Sequence, residues 1–458
     1  MRKKPNIIII NCDDLGWGDL GCTGHPLHKT PYLDSLAENG TRFTNFYQGS
    51  SVCSPSRGAM LTGCYPNRIG FDSFDGKWVL FCGESLGLSK EEETFADILK
   101  RAGYSTHMVG KWHCGDQEEF LPTNHGFDSY YGLPYSNDMG IQRVDSKYPP
   151  LPLLRDTEVV EAQPDQRSLI FRYTEACTEI IRNNKDRPFL LYMAHMHVHL
   201  PHYVAEKFTT DSKNGRYGGA VAAIDWSTGL IMEELKAQGL ESDTMIIFTS
   251  DNGSRCDYGP SNGHLRGVKT TAWEGGFRVP LLVSWPGHVP AGCVRDDIIT
   301  GMDLLPTMAS ICGESLKSGL PIDGKDASDV FFGKSTDEPL HKSFAYYCNG
   351  QLDAVRDERW KLHVGRRGRD GSNERVLELY DLQNDPSELK NVVGDNPDVV
   401  AKLQAIADEW RQKFGDVFTR DTGNERRPAG RVDNPKTLTE FDPNHPYYMA
   451  MYDINESG

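Results

Sequence analysis

Ile7-Ile8-Ile9-Ile10 runs without a break into Asn11-Cys12-Asp13-Asp14. A continuous apolar run of this kind suits a strand covered on both faces, as in a parallel sheet flanked by helices. Three further segments repeat the pattern. Thr106-His107-Met108-Val109 leads into Gly110-Lys111-Trp112-His113, and Phe189-Leu190-Leu191-Tyr192-Met193 into Ala194-His195-Met196-His197-Val198-His199. Met245-Ile246-Ile247-Phe248 leads into Thr249-Ser250-Asp251-Asn252. Ligands of open α/β sheets bind beyond the carboxyl ends of the strands. The four runs therefore deliver polar, chemically capable residues to one edge of a sheet.

Helical segments alternate with these runs. Thr30-Pro31 starts one that Gly40 stops, and Thr94 to Ala102 carries Phe95, Ile98, Leu99 and Ala102 at helical spacing. Ser168 to Asn183 and Tyr217 to Gln238 are longer ones. The expected fold is α/β, a mostly parallel sheet sandwiched by helices. After about residue 330 the pattern changes. Ser343 to Cys348, Leu352 to Val355, Trp360 to Val364 and Leu377 to Asp381 read as short strands with exposed faces, followed by a helix from Pro397 to Phe414. This gives a catalytic α/β domain over residues 1–335. Residues 336–458 then form a smaller C-terminal antiparallel sheet with a helix and an irregular, surface-wrapping tail.

The net charge of -16 argues against nucleic-acid partners and against docking on an anionic membrane. No run approaches the roughly 20 apolar residues of a membrane span. Met1-Arg2-Lys3-Lys4 resembles the start of a signal peptide, but the apolar stretch behind it is too short for an h-region. The reading is a cytoplasmic protein. The 11 cysteines include no C-x-x-C pair, so most are expected to be buried thiols.

Cys53-Ser54-Pro55-Ser56-Arg57, followed by Gly58-Ala59-Met60-Leu61-Thr62-Gly63, places a cysteine at the start of a short helix. Helix N-termini favour anions, so a nucleophile there can meet an anionic ester. Any single aspartate at a strand end is ordinarily a cap or turn former. Asp13-Asp14 and Asp251-Asn252 together, at two strand ends of one sheet, form a hard-oxygen set that suits Ca²⁺ or Mg²⁺. Lys111, His113, His199 and Lys269 add basic groups. With a cation, they would stabilise an oxygenated anion as a bond in it breaks. The His195-x-His197-x-His199 alternation leaves zinc open as another use.

These residues resemble the formylglycine-dependent sulfatases, arylsulfatase-like branch, of the alkaline-phosphatase-like superfamily. Cys53-Ser54-Pro55-Ser56-Arg57 with Leu61-Thr62-Gly63 and Tyr65-Pro66 carries the signature. Asp13-Asp14-Leu15-Gly16-Trp17-Gly18-Asp19, Gly110-Lys111-Trp112-His113 and Asp251-Asn252-Gly253 also match. So do Lys269-Thr270-Thr271 with Glu274-Gly275-Gly276, and Leu379-Tyr380-Asp381-Leu382 with Asp385-Pro386. The resemblance implies that Cys53 is oxidised to formylglycine, whose hydrated aldehyde attacks the sulfur of a sulfate ester. A sulfated diol forms, sulfate is expelled and the aldehyde returns. It implies Ca²⁺ held by Asp13, Asp14, Asp251 and Asn252 beside residue 53. Asp251 would take a proton from the diol and Arg57 would orient it. Lys111, His199 and Lys269 would hold the sulfate, His199 or Lys269 would protonate the leaving oxygen, and His113 would assist the second step. Gly132-Leu133-Pro134-Tyr135-Ser136-Asn137-Asp138 resembles the loop that brings a serine, here Ser136, to the sulfate. Cys114 and Cys64 depart from the family pattern but touch no expected ligand.

The implied substrate is a small aryl, steroid or sugar sulfate, and the implied partner is a maturation enzyme acting on the unfolded chain. Two alternatives are a phosphonate or phosphate ester hydrolase of the same superfamily, and an inactive protein binding a sulfated ligand through unmodified Cys53. Candidate specificity segments are Phe71 to Leu88, with Phe71, Phe74, Trp78 and Phe81 as stacking surfaces, Pro149 to Pro152, and Ser254 to His264.

Overall fold

The computed structural model describes residues 4–141, 147–255, 257–335, 338–368, 370–447, 454 and 456. Met1-Arg2-Lys3 and Cys256 lie outside them. The four apolar runs become adjacent, mutually parallel strands in the order Thr244–Ser250, Asn6–Cys12, Phe189–Ala194, Ser105–Gly110. They form the middle of a ten-stranded sheet. Ser129–Gly132 extends the parallel part, while Leu281–Ser284 and Pro152–Arg155 add antiparallel strands on either side. The register is level at the carboxyl ends: Cys12 faces Ser250, and Gly110 faces Ala194.

Both faces of these strands are covered, which is why the sequence shows continuous rather than alternating hydrophobicity. Ile7 and Ile9, with Leu190, Tyr192, Met245 and Ile247, enter a core lined by Phe95, Ile98, Leu99, Leu304 and Met308. Ile8 and Ile10, with Leu191, Met193, Ile246 and Phe248, enter a second core lined by Leu33, Leu36, Leu169, Tyr173 and Ile224. Helices Phe95–Arg101, Leu304–Cys312 and Cys53–Thr62 cover one face. Helices Pro31–Glu38, Gln166–Asn183 and Gly215–Ala237 cover the other. Thr94 caps its helix in a reciprocal box with Asp97, and Pro31 stands at the first turn of its own.

Phe344–Cys348, Gln351–Arg356, Trp360–Arg367 and Asn373–Asp381 form the smaller antiparallel sheet, and helix Pro397–Phe414 packs on it. The expectation of exposed faces fails for the first two strands, which are buried along their whole length. They lie between that helix and Tyr47, Ala59, Tyr65 and Phe277 of the larger layer, so both faces find apolar partners. Trp360–Arg367 is buried or half-buried throughout, and only the edge strand Asn373–Asp381 keeps exposed positions. Among the described residues beyond Phe414 the one strand is the short Gly430–Arg431. The tail is held by Gly430–Arg431 pairing with Leu86–Gly87 and by Arg426 and Arg427 on Asp72 and Glu92.

Two corrections concern the Phe71–Leu88 segment and the histidine run. Phe71 and Phe74 are not stacking walls. They meet edge to face at 4.8 Å inside the first core, and burying two aromatic rings outweighs leaving them in a cleft. The strand ends at Ala194, so His195, His197 and His199 follow it in a loop. Among the described residues His195 and His197 join no cluster of metal-competent side chains, which removes the zinc reading.

Candidate functional site

Asp13, Asp251 and Lys111 are each the first residue beyond a level strand end, so they start from neighbouring points. The backbone then turns sharply. Gly110 has φ of 110°, and a Cβ there would lie 1.8 Å from the Ala194 carbonyl oxygen, so only glycine lets Lys111 leave its strand this way. Asp14, His113 and Thr270 all take left-handed φ, at 62°, 63° and 74°. Each costs about 1–2 kcal/mol. Such strain gathers at functional sites, where the surroundings over-determine it.

Cys53 is the first residue of helix Cys53–Thr62, every residue of which is buried; Gly63, in the left-handed region, closes it by donating to the Ala59 carbonyl. Its thiol donates to Asp13 Oδ1 at 3.3 Å and stands 3.9 Å from Asp14 Oδ1. Lys269 Nζ approaches the sulfur at 3.3 Å. Donor atoms of Asp13, Asp14, Cys53 and His199 all lie within 4.8 Å of one another. Arg57, one turn along the helix, donates through Nε to Asp251 Oδ2 at 2.8 Å and through Nη1 to the Lys111 carbonyl at 2.8 Å. Lys111 Nζ reaches Asp13 Oδ2 at 2.5 Å and Ser136 Oγ at 3.2 Å. Lys269 Nζ sits 2.7 Å from Asp14 Oδ1. Asn252 donates to the same Asp14 oxygen at 2.7 Å. His199 lies 3.7 Å from Asp14 Oδ2 and 3.4 Å from Ser136 Oγ. His113 is anchored by Nε2 on the Leu80 carbonyl at 3.0 Å.

All eleven residues singled out in the sequence are thus in one buried cluster. The unmodified side chain has contacts of its own. The Cys53 thiol is directed at Asp13 and Asp14, while the Asp251 carboxylate is taken by the Arg57 guanidinium and the Asp14 N–H. A buried guanidinium outcompetes a neutral thiol for a carboxylate.

Electrostatics sorts the groups. Burial pushes the Cys53 thiol well up, and Asp13 adds to it; the pull of Lys111 and Lys269 does not reverse this. Residue 53 is therefore held as a thiol, not as a thiolate nucleophile. Burial opposes ionisation of Asp13, but Lys111, then His199, Arg57 and Lys269, hold it well below the usual carboxylate range. Asp14 is likewise lowered, with Lys269 and His199 overcoming burial. Burial, then Lys111 and Arg57, keep His113 neutral.

The donor set fits a hard divalent cation. Asp13, Asp14 and Asp251 supply carboxylates, and Asn252 Oδ1 is buried without a hydrogen-bond partner. Arg57 Nη2 and His113 Nδ1 are buried and unpartnered as well. Three supporting contacts escaped the sequence reading. Ser56 donates to the Asp251 carbonyl, Gln48 to the Ser250 carbonyl at 2.6 Å, and Ser54 Oγ accepts from the Leu80 N–H at 3.1 Å. Ser54 and Ser56 stood inside the quoted motif, which signals their importance; Gln48 carries no such signal.

The sequence profile described as Sulfatase matches residues 5–314, and one described as N-sulphoglucosamine sulphohydrolase, C-terminal, matches residues 268–413. Arylsulfatase A from Homo sapiens is 37% identical over 451 residues, covering 89% of this chain and 87% of its own. N-acetylgalactosamine-6-sulfatase from Mus musculus is 37% identical over 382 residues, covering 79% of this chain and 72% of its own. Among solved structures, Ps i-CgsB in complex with k-i-k-neocarrahexaose superposes with a TM-score of 0.79 at 28% identity, covering 89% of this chain and 93% of that one.

Proposed function

The chain belongs to the sulfatase family, and from that premise we propose that it hydrolyses sulfate monoesters to alcohol and inorganic sulfate through a formylglycine made from Cys53. The observation that carries this reading is the surroundings of Cys53: a buried thiol among three carboxylates, two lysines and two histidines, where burial and Asp13 push its ionisation well up. A thiol held neutral there is a poor nucleophile, whereas a hydrated aldehyde at residue 53 supplies a hydroxyl that can attack sulfur.

Asp13, Asp14, Asp251 and Asn252 would hold Ca²⁺, or Mg²⁺ in its place, which would supply positive charge beside that hydroxyl. Lys111, Lys269, His199 and Ser136 border the sulfate oxygens. Lys269 or His199 gives a proton to the leaving alcohol. Arg57 Nη2, unpartnered and buried, orients residue 53, and Asp251 takes a proton from it. His113 Nδ1, also unpartnered, receives a proton as sulfate departs.

Burial of Cys53 and of the helix that follows supports a maturation enzyme that reaches the chain before it folds. A cytoplasmic location belongs to the same proposal. Among the described residues no helix is long and apolar enough to cross a membrane.

Protein from its native host is expected to turn over an aryl sulfate at least about 100-fold faster than the matching aryl phosphate, as a pocket tuned to one tetrahedral anion should. Mass spectrometry of the peptide carrying residue 53 should find it lighter, one sulfur and two hydrogens being exchanged for one oxygen. Equal or faster phosphate turnover, or a wholly unmodified peptide, would sink the proposal.

A further inference from the structure

We propose, resting on the sulfatase reading above, that Asp138 is a specificity-determining residue: it accepts a hydrogen bond from a free hydroxyl beside the sulfate ester, so the preferred alcohol half is a pyranose carrying one sulfate rather than a steroid or a polysulfated chain.

Asp138 shares a tight turn with Ser136, closed by the Met139 N–H donating to the Ser136 carbonyl at 3.1 Å. Ser136 Oγ lies 3.2 Å from Lys111 Nζ and 3.4 Å from His199 Nδ1, so the turn is anchored at the proposed sulfate position. Asp138 Oδ1 is shielded from water and accepts no hydrogen bond. Asp138 stands near enough to both His199 and Tyr148 for its charge to act on each. The Tyr148 ring stacks on Phe81 at 6.4 Å with an interplanar angle of 11°. Phe81 directly follows Leu80, whose carbonyl accepts from His113 and whose N–H donates to Ser54 Oγ. Asp138, Tyr148 and Phe81 are all partly exposed. The Ser136–Met139 turn thus ties Asp138 to the proposed sulfate position, and Leu80 ties the aromatic pair to His113 and Ser54.

A shielded carboxylate oxygen without a donor costs about 1–3 kcal/mol, so a ligand that supplies the donor gains that much. A sugar hydroxyl next to the ester does so, and the aromatic pair offers an apolar surface to the ring's C–H face. A steroid has no donor at that position and would leave the oxygen unpaired. A second sulfate there would face a like charge.

The test uses matured full-length enzyme and kcat/KM for three probes: a pyranose monosulfate with a free hydroxyl on the neighbouring carbon, its deoxy analogue, and 4-nitrophenyl sulfate. Wild type is expected to prefer the hydroxylated sugar over the deoxy sugar by about 10–100-fold, the range for a hydrogen bond to a charged group. Asp138→Ala is expected to bring the two sugars within about threefold of each other, as a coupled pair should behave. Wild type treating both sugars alike overturns the proposal without any variant. Full discrimination retained by Asp138→Ala, with a thermal melt matching wild type, overturns it too. Hydrolysis of the aryl sulfate alongside either result leaves the sulfatase reading intact. Failure on all three probes, with residue 53 shown to be modified, removes both.

Discussion

Two buried charge clusters are joined by one segment of chain: Lys269 belongs to the site cluster, and Glu274 to a second cluster beneath the smaller sheet. Glu274 accepts from Tyr47, Tyr346 and Lys361, and its N–H donates to Glu388 Oε2 at 2.8 Å. Glu388 in turn holds Lys361 at 3.0 Å and His363 at 2.9 Å. Among the described residues, no fully buried side-chain nitrogen or oxygen of this second cluster lacks a partner, whereas the site cluster leaves Arg57 Nη2, His113 Nδ1 and Asn252 Oδ1 without partners. Both are buried, and both balance carboxylates against cations. The difference teaches that a charge cluster serving only the fold saturates its hydrogen bonds, while one serving a ligand keeps some in reserve.

The comparison can be broken most directly in the saturated cluster. Lys361→Met leaves Glu274 and Glu388 buried without their ammonium, and is expected to cost about 3–5 kcal/mol in urea unfolding. A loss below about 1 kcal/mol would mean that the second cluster holds the fold no more firmly than a surface pair does. Next in size is an effect on turnover rather than on stability. Exhaustive chelation should lower aryl sulfate turnover by about 100-fold or more, restored by added Ca²⁺ or Mg²⁺. The urea midpoint should move much less than in Lys361→Met, because Lys111 and Lys269 already face the carboxylates. A chelated protein that unfolds as readily as the variant would erase the distinction.

The smallest expected effect is in acid. Lys361, then Arg356 and Arg278, hold the Glu274 carboxyl far below its ordinary value of 4.5 despite burial. Its folded pKa is depressed, so the stability it gives is complete above 4.5 and is lost as pH falls toward the depressed value. The stability gap between wild type and Glu274→Gln should therefore narrow only below pH 4.5. A gap that narrows at higher pH would place Glu274 in a less satisfied setting.

The site was legible in the sequence to the extent that it stands at strand ends. Continuous apolar runs announce doubly covered strands, and Asp13, Lys111 and Asp251 follow such runs directly. The second cluster was not legible. Its members Tyr47, Glu274, Tyr346, Lys361 and Glu388 come from distant segments and share no spacing; only the packing of two sheets unites them. Phe71 and Phe74 were misread because an aromatic residue in a loop looks the same in sequence whether it faces a cleft or a core. The burial of the first two strands of the small sheet was hidden for the same reason: mixed polar and apolar residues do not disclose a second cover.

The level register has a further consequence for folding. Because both faces of Ile7–Ile10 are apolar, shifting that strand by one residue would exchange one buried set of isoleucines for another, so hydrophobicity alone does not choose its alignment. The choice falls to the polar end, where the Asp13 N–H meets the His197 carbonyl, the Leu15 N–H meets Ser250 Oγ, and the Asp251 N–H meets the Cys12 carbonyl. A slipped strand would leave these groups buried and unpaired. The residues gathered for chemistry also act as the alignment key of the sheet, so a chain that has folded out of step cannot assemble the site.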